Sequence, residues 1–447
     1  MRQRLEAFAA EMFAPLTRSD QRAKGVTYLR GLLLDGRRKS MQPMAARLGV
    51  DHQGLQQFVT TSTWDAGAVR ARLAGRAVAL IRPVAWVVDD TGFPKVGVGS
   101  PGVARQYSGT LGRVANCQIG VSVHAVTDAA SCPLDWRLFL PESWDEAKAA
   151  PAAVKAAKAK QRKTLTNAPR AVAPAGRDAG GADAGVDVQA VTEAARARRR
   201  RCGIPADEGH RPKWMMALEM LDGLAERGLR PPLLAADAGY GDNSQFRDAL
   251  DERHIPYIVQ VKGDALAHPR EALPAERVWS GHGRPPTRTE PRYPHPARSL
   301  AEHVVEHVRA AGRGAAVTIS WREGSKGVLS SQFIVLRVRP AGHRVARDPH
   351  GTLPERWLIA QWPHDEAEPV KYWLSSLPAD TDPADLIRLG KIRWRIEHDY
   401  RELKTGLGLD HFEGRSWIGW HRHVTLVTAA HLFITTLRLD PKAAAPA

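Results

Sequence analysis

The chain has 447 residues and carries 64 Lys and Arg against 48 Asp and Glu, a formal net charge of +16. This length exceeds a single ordinary core and predicts two or three domains. A hydrophobic content of 43% and 13 Trp exclude a disordered chain and argue against a ribosomal protein, while the basic charge makes nucleic acid the expected partner. A membrane-surface role is disfavoured because the sequence has no strong basic amphipathic anchor.

The sequence also lacks the usual marks of membrane-bound and secreted proteins. No apolar run approaches the length of a membrane span, and the first residues carry acids early without an apolar signal core. The three cysteines, Cys117, Cys132 and Cys202, form no C-x-x-C pair and no disulfide pattern, which is typical of a reducing compartment. We therefore expect a cytoplasmic protein without a membrane partner.

Residues 1–78 are predicted to form a helical domain. Within it, residues 44–59 (M-A-A-R-L-G-V-D-H-Q-G-L-Q-Q-F-V) are similar to a helix-turn-helix, with Gly49 at the turn. Short helical hairpins with this pattern also occur in domains that do not bind DNA, so both interpretations stay open. The cations that would lie near a phosphate backbone are Arg37, Arg38, Lys39 and Arg47.

Residues 79–262 are predicted to hold the first part of a mixed sheet. The run 84–91 (V-A-W-V-V-D-D-T) indicates a nearly apolar strand that ends in two acids, Asp89 and Asp90. Neighbouring side chains on a strand point to opposite faces, so only one of these acids can join a site. Three further strands, which together predict an antiparallel meander, are expected at 104–110, 116–127 and 134–141.

A low-complexity basic insertion interrupts this region at residues 147–201. Its content of Ala, Gly, Lys and Arg, with few apolar anchors, predicts a disordered or partly helical segment. The insertion could add sequence-independent attraction to DNA, or it could be a surface insertion without function.

Strand and helix patterns alternate after the insertion. A helix is predicted at 211–228, and a buried strand within 231–242 brings Asp237 to its carboxyl end. A capped helix at 243–253 and a strand at 254–262 follow. This alternation predicts a mixed sheet with helices packed on it, an α/β (α+β) fold.

Residues 263–380 return to a β pattern and are predicted to form a β-rich insertion. Its four strands are expected at 317–322, 332–339, 356–362 and 371–377. The last region, 381–447, is predicted to complete the core and to contain an amphipathic helix at 419–437. We expect the histidines of that helix to serve packing or phosphate contact rather than metal binding.

One long helix is predicted within residues 381–415, with Asp382 as its N-cap. Spacings of four and seven residues place Arg393, Glu397 and Lys404 on one side of this helix. An acid between two cations, at the edge of a buried face, can hold a metal while the cations hold phosphate oxygens. The plain alternative is a solvated ion-pair face.

Three carboxylates are distinguished by their positions, Asp89 and Asp237 at strand ends and Glu397 on the long helix. Converging carboxylates in apolar surroundings repel one another, and a divalent cation relieves that repulsion. Oxygen ligands suit Mg²⁺ or Mn²⁺, and two such ions can promote in-line attack on a phosphodiester. The sequence therefore predicts a two-metal catalytic site formed by these three acids.

Four stretches of the chain are specific enough to indicate a family. They are V-V-D-D-T-G-F-P-K (87–95), G-V-A-R-Q-Y-S-G-T-L-G-R-V-A-N-C-Q (102–118), A-D-A-G-Y-G-D (236–242) and R-W-R-I-E-H-D-Y-R-E-L-K-T-G-L-G-L-D-H-F-E-G-R (393–415). In them the chain resembles DDE-type transposases of bacterial insertion sequences, which have an RNase H-like core and a β-rich insertion before the catalytic glutamate.

The resemblance implies roles for individual residues. Asp89, Asp237 and Glu397 match the three catalytic, metal-binding acids, and the D-x-T spacing of related enzymes favours Asp89 over its neighbour. Arg393 and Lys404 match the arginine and lysine of the family's signature and would grip DNA phosphates near the cleaved bond. The chain departs from the family where Gly390 replaces the signature's tyrosine, and its basic insertion is longer than the family leads us to expect.

The function implied by the resemblance is DNA transposition. The protein would cleave double-stranded DNA at the terminal inverted repeats of its element and join the freed ends to target DNA. It would act as a homodimer on DNA with two Mg²⁺ or Mn²⁺, in the bacterial cytoplasm at the nucleoid. The alternatives are a transposase-derived DNA-binding regulator without catalysis and a stand-alone DNA endonuclease.

Overall fold

The computed structural model describes residues 1–109, 112–166, 186–276, 282–283, 291–324, 327–342 and 345–440. The strands are β1 (Ala85–Pro94), β2 (Ala104–Ser108), β3 (Arg113–Val126), β4 (Ser131–Leu138), β5 (Leu234–Ala236), β6 (Tyr257–Val261), β7 (Leu266–Pro269), β8 (Arg298–Ser299), β9 (Val317–Gly324), β10 (Gly327–Pro340), β11 (Arg356–Gln361) and β12 (Lys371–Ser375). The helices are α1 (Arg2–Met12), α2 (Ser19–Leu33), α3 (Met41–Leu48), α4 (His52–Thr60), α5 (Ala66–Ile81), α6 (Ala149–Thr166), α7 (Val188–Cys202), α8 (Lys213–Ala225), α9 (Ala238–Gly241), α10 (Ser244–Glu252), α11 (Leu300–Ala311), α12 (Pro383–Lys391), α13 (Trp394–Thr405) and α14 (Trp417–Arg438).

The strands form one mixed sheet in the order β2-β3-β1-β5-β6-β12-β11-β10-β7-β8, with β4 paired to β3 and β9 paired to β10. β1, β5 and β6 are parallel neighbours, whereas β3 pairs antiparallel with β1, β2 and β4. The predicted meander is therefore confirmed. So is the fold class, an α/β (α+β) protein with an RNase H-like mixed sheet flanked by helices.

The N-terminal helices contain the predicted hairpin. Gly49 ends α3 in the left-handed conformation (φ 66°), which glycine adopts without steric cost. Asp51 then starts α4 by accepting a hydrogen bond from the amide of Gln53. The geometry of a helical hairpin at 44–59 is confirmed, and its role in DNA binding stays a prediction.

The basic insertion contains more helix than its composition indicated. It forms α6 and α7, while residues 167–185 lie outside the described part of the chain. Asp187 caps α7 through the amide of Ala190, and Gly203 ends it in the left-handed conformation. The prediction of a partly helical segment is confirmed for these two stretches.

The four strands predicted within 263–380 are present, and they do not stand apart from the core. β12 pairs antiparallel with β6, so β7–β12 extend the same sheet that carries β1 and β5. The helix α11 in this region was not predicted, although Ser299 and Glu302 form a capping box at its start. The division of the chain at residues 78, 262 and 380 stays a prediction.

The helix at the C-terminal end of the fold differs from the expectation. The sequence predicted an amphipathic helix at 419–437, with one polar and one apolar side, but 16 of the 22 residues of α14 are buried. Its polar side chains find partners inside the protein: Thr425, Thr428 and Thr435 donate to carbonyl groups one turn earlier, and Arg422 donates to the carbonyl oxygens of Val59 and Trp64. Satisfied hydrogen bonds allow a polar sequence to occupy a core position.

The predicted long helix within 381–415 is wrong in one respect, because the structure divides it into α12 and α13. Around the break, hydrogen bonds join residues three apart, as between the amide of Arg395 and the carbonyl of Ile392. This tighter turn changes the direction of the helix axis, although the φ and ψ angles of Ile392 and Arg393 stay near helical values. The N-cap Asp382 and the end of the helix before Gly406 are confirmed.

Among the described residues, none of the helices combines the length and the apolar character that crossing a membrane requires.

Candidate active site

Two of the predicted acids are placed side by side by the register of the sheet. β1 and β5 run parallel, and Val88 lies opposite Ala236. Asp89 follows Val88 within β1, and Asp237 is the first residue after the end of β5. Neighbouring strands lie about 4.8 Å apart. Asp237 also caps the short helix α9, since its carboxylate accepts a hydrogen bond from the amide of Gly239 at 2.9 Å.

The third acid, Glu397, is linked to this edge of the sheet because it shares the cation Arg393 with Asp89. The guanidinium of Arg393 donates to the Asp89 carboxylate at 2.6 Å and to the Glu397 carboxylate at 3.1 Å. Because Arg393 stands at the break between α12 and α13, it enters the site at the start of the helix that carries Glu397. The structure thus brings Asp89 and Glu397 to one group, although they are 308 positions apart in the sequence.

The electrostatics of the site connect all three acids. Burial of Arg393 acts to lower its pKa, but the charges of Asp89, Asp237 and Glu397 outweigh burial and raise it. Burial raises the pKa of Asp89 to about 7; Arg393 opposes this shift, while Asp237 and Asp90 add to it. Three carboxylates therefore act on a single guanidinium, and the site keeps an excess of negative charge.

The choice between the two neighbouring acids of β1 has a geometric answer. Asp89 is 8% exposed and contacts Arg393. The Asp90 carboxylate instead pairs with the ammonium of Lys213 on α8, at 2.7 Å. This opposite orientation follows from the alternation of side chains along a strand. It supports Asp89 as the acid that belongs with Asp237 and Glu397.

Lys404 lies close to β1 and contacts two residues of that strand. Its ammonium donates to the carbonyl oxygen of Gly92 at 2.7 Å and lies 5.6 Å from the centre of the Phe93 ring. Burial lowers the pKa of Lys404 to about 8. Its predicted contact with a DNA phosphate stays a prediction, since the side chain is 9% exposed in this structure.

Gly390 stands where the family's signature has a tyrosine, and two other side chains lie next to it. A Cβ atom placed on Gly390 would lie 3.2 Å from Cδ1 of Ile258 and 3.6 Å from Cδ1 of Trp373. The absence of a side chain at this position therefore allows α12 to approach β6 and β12 closely. An aromatic ring at residue 390 would need space that these two side chains occupy.

The acid site suits a hard cation by its chemistry. Within the described residues, no three His, Cys, Asp or Glu side chains are arranged so that they could hold a metal ion. In this conformation the carboxylates of Asp89 and Glu397 hold a guanidinium instead. The donors of Asp89, Asp237 and Glu397 are all oxygens, the ligand type that Mg²⁺ and Mn²⁺ prefer.

Sequence reasoning missed a buried polar network on the other side of α13. The Asp399 carboxylate accepts hydrogen bonds from Ser131 Oγ at 2.6 Å and from His124 Nδ1 at 2.9 Å. The network continues from His124 Nε2 to Ser122 Oγ and from there to the Tyr400 hydroxyl. The strand V-S-V-H-A-V carried a signal for it, since its polar residues alternate with apolar ones in a strand that is buried.

The chain belongs to the DDE superfamily endonuclease family, whose model matches residues 11–328. Asp89 and Asp237 lie inside the matched range, whereas Glu397 and Arg393 lie beyond it. Endonucleases of this superfamily typically use divalent metal ions.

One curated relative is "Probable transposase for insertion sequence element IS701" from Microchaete diplosiphon. It is 25% identical over 252 residues, which cover 56% of this chain and 50% of the relative. The chain is thus aligned with half the length of that protein.

Proposed function

We propose that this protein is a transposase, a metal-dependent enzyme that cleaves DNA at the ends of an insertion sequence and transfers the freed strands to target DNA. The observation that carries the proposal is that Asp89 and Glu397 share the guanidinium of Arg393, while Asp237 follows the strand that runs parallel to β1. The family, and the printed name of the relative, support the same activity.

In this proposal Asp89, Asp237 and Glu397 hold two divalent ions, Mg²⁺ or Mn²⁺. When bound there, such ions would activate a water or a 3′-hydroxyl and would stabilise the leaving oxygen of an in-line displacement. Because burial raises the pKa of Asp89 to about 7, its carboxyl group must lose a proton before it can serve as a ligand.

The two cations of the signature would position the substrate. Arg393 would exchange its contacts with Asp89 and Glu397 for a phosphate of the DNA, because a guanidinium donates equally well to phosphate oxygens. Lys404 would hold a phosphate further along β1, next to Gly92. We further propose that the substrates are the terminal inverted repeats and target DNA, that the enzyme acts as a homodimer on DNA, and that it is associated with the nucleoid.

The test uses purified full-length protein and a duplex that carries the DNA flanking the coding region. With Mg²⁺ present, we expect a nick at the element end and then a joined product, both resolved on a denaturing gel. The substitution Glu397→Gln should lower the cleavage rate on the order of 10³-fold, because it removes one carboxylate from the metal-binding set. Glu226→Gln, at an exposed residue after α8, is the matched control and should cleave like the parent.

Each alternative has its own outcome in this assay. Nicks without joined products would identify a stand-alone endonuclease. Tight binding of the end sequence without any cleavage would identify a DNA-binding regulator. Equal cleavage by the parent and by Glu397→Gln would show that the catalytic acids are assigned wrongly.

A further inference from the structure

A basic groove lies further along β1 from the acids, where the carboxyl end of α7 meets the loops 94–100 and 410–415. It encloses about 710 Å³. Its cationic lining residues are Arg38, Lys95, Arg198, Arg201 and Arg415. The acids Asp410 and Glu413 also line it, so the cations outnumber the acids by five to two. A surface with this excess of positive charge attracts a polyanion.

The end of α7 is held firmly against the body of the protein. The buried side chain of Arg199 donates to three backbone carbonyl groups, among them that of Trp144. The guanidinium of Arg198 lies 5.0 Å from the centre of the Trp144 ring. The Cys202 thiol donates to the carbonyl oxygen of Gly99 at 3.4 Å, which ties α7 to the loop 94–100. The basic insertion therefore presents its last arginines at defined positions.

The cations of the groove are close to one another and only weakly neutralised. Burial raises the pKa of the Cys202 thiol, and the charges of Arg201, Arg198 and Arg415 all act against that rise. Arg201 and Arg415 are exposed. The pair between Arg38 and Glu413 is 3.7 Å long, with side chains 73% and 70% exposed, and such pairs hold each other weakly. Glu413 therefore leaves most of the charge available to a ligand.

The path from the groove to the acids follows β1. Lys95 lies six positions after Asp89, which is about 20 Å of extended chain. Lys404 lies between them at Gly92, and Lys95 donates to the carbonyl oxygen of Phe412 at 2.6 Å. On one strand of a duplex, about 20 Å corresponds to roughly six nucleotides. A single duplex can therefore reach from the acids to the groove.

We propose that this groove, formed by α7 of the basic insertion with the loops 94–100 and 410–415, binds the sugar–phosphate backbone of double-stranded DNA about six base pairs from the bond cleaved at the acid site. The contact is independent of sequence, because the arginines reach phosphates rather than base edges. The inference rests on the proposed function for its choice of DNA as the partner.

The test measures binding of the full-length protein to a 30-base-pair duplex of the element end by fluorescence anisotropy, in EDTA, between 50 and 300 mM salt. The double variant Arg201→Ala/Arg415→Ala should bind about tenfold more weakly at 100 mM salt. The slope of log affinity against log salt should flatten by about 1.8, since each phosphate contact contributes about 0.9. The variant Arg201→Lys/Arg415→Lys should keep the parent slope to within about 0.5 because it keeps both charges.

The matched control is Arg230→Ala/Arg309→Ala, which removes the same charge from two exposed arginines outside the groove. It should bind with the parent slope. Duplexes that end fewer than about six base pairs from the cleavage point should not distinguish the parent from Arg201→Ala/Arg415→Ala.

Two results would overturn the proposal. These are an unchanged slope in Arg201→Ala/Arg415→Ala or an equal loss in the control pair. Circular dichroism and thermal unfolding of each variant separate lost binding from lost folding. Because binding is measured in EDTA, an inactive parent enzyme would count against the proposed transposase and not against the groove.

Discussion

The acidic side chains on the two sides of α13 have opposite surroundings. On one side, Glu397 is 60% exposed and shares the guanidinium of Arg393 with Asp89, next to Asp237. On the other side, Asp399 is 1% exposed and accepts hydrogen bonds from His124 and Ser131. The buried side is satisfied by the protein itself, whereas the acid side keeps three carboxylates beside one cation.

This difference suggests that the two sides of α13 have different roles, one in stability and one in activity. The hydrogen bonds of Asp399 and Tyr400 join α13 to β3 and β4, and so fix the rotation of the helix about its axis. Since Glu397 lies two residues before Asp399, that rotation decides whether Glu397 faces Asp89. Stability should therefore depend on the buried side and activity on the acid side.

The largest expected effect tests the buried side. Asp399→Ala would leave His124 and Ser131 without their buried partner, and we expect the free energy of unfolding to fall by about 3–5 kcal/mol. The measurement is urea unfolding followed by tryptophan fluorescence. Glu397→Gln, on the exposed side, should change stability by less than about 0.5 kcal/mol. Similar losses in both variants would abolish the distinction between the two sides.

A second prediction concerns pH and the neighbouring helix α14. Burial lowers the pKa of His421 to about 3 and that of His423 to about 4. His423 is bonded as a neutral ring, between the Tyr28 hydroxyl and the carbonyl oxygen of Gly408. In the unfolded chain the two histidines have ordinary pKa values near 6.5, so they bind protons at pH values where the folded protein keeps both rings neutral.

The two histidines should consequently contribute stability that is constant above about pH 6.5 and falls below it, by about 1.4 kcal/mol per pH unit each. Asp89 acts in the opposite direction between about pH 4 and 7, because burial raises its pKa to about 7 in the folded protein. The prediction is therefore a difference between two proteins: in urea titrations at pH 4.5, 5.5 and 6.5, the free energy of unfolding of His423→Gln should fall less steeply with acid than that of the parent, by about 1.4 kcal/mol per pH unit. An identical pH dependence in the two proteins would contradict the neutral, buried state of the His423 ring.

The smallest effect belongs to the cation of the acid side. Arg393→Ala removes the compensating charge from Asp89, Asp237 and Glu397, and we expect a loss of about 1–2 kcal/mol in EDTA. Millimolar Mg²⁺ should recover part of that loss, because an ion that binds the folded state stabilises it. Lys213→Ala, which breaks the pair with Asp90, should gain nothing from Mg²⁺. Equal recovery in both variants would argue against a metal site at the three acids.

Local signals in the sequence were sufficient for many of the elements. Asp382 and the following proline mark the start of α12, Gly49 marks the turn of the hairpin, and apolar runs that end in acids locate Asp89 and Asp237. These features depend on a few neighbouring residues, so a pattern can reveal them.

The remaining features depend on partners that are distant in the sequence. Asp399 and His124 are 275 positions apart, and no spacing rule links them. The break before Arg393 keeps its backbone close to helical values, and Gly390, the nearest glycine, lies inside α12 rather than at the break. The burial of α14 was missed because its polar residues are satisfied by groups such as the carbonyl oxygen of Val59, far away in the chain.

The close approach at Gly390 has a consequence for protein engineering. A side chain at this position would require Ile258 to shift, since a Cβ atom there would lie 3.2 Å from Cδ1 of that residue. A tyrosine grafted at position 390 should therefore be tolerated best together with a smaller residue at position 258, although that smaller residue alone would leave a cavity.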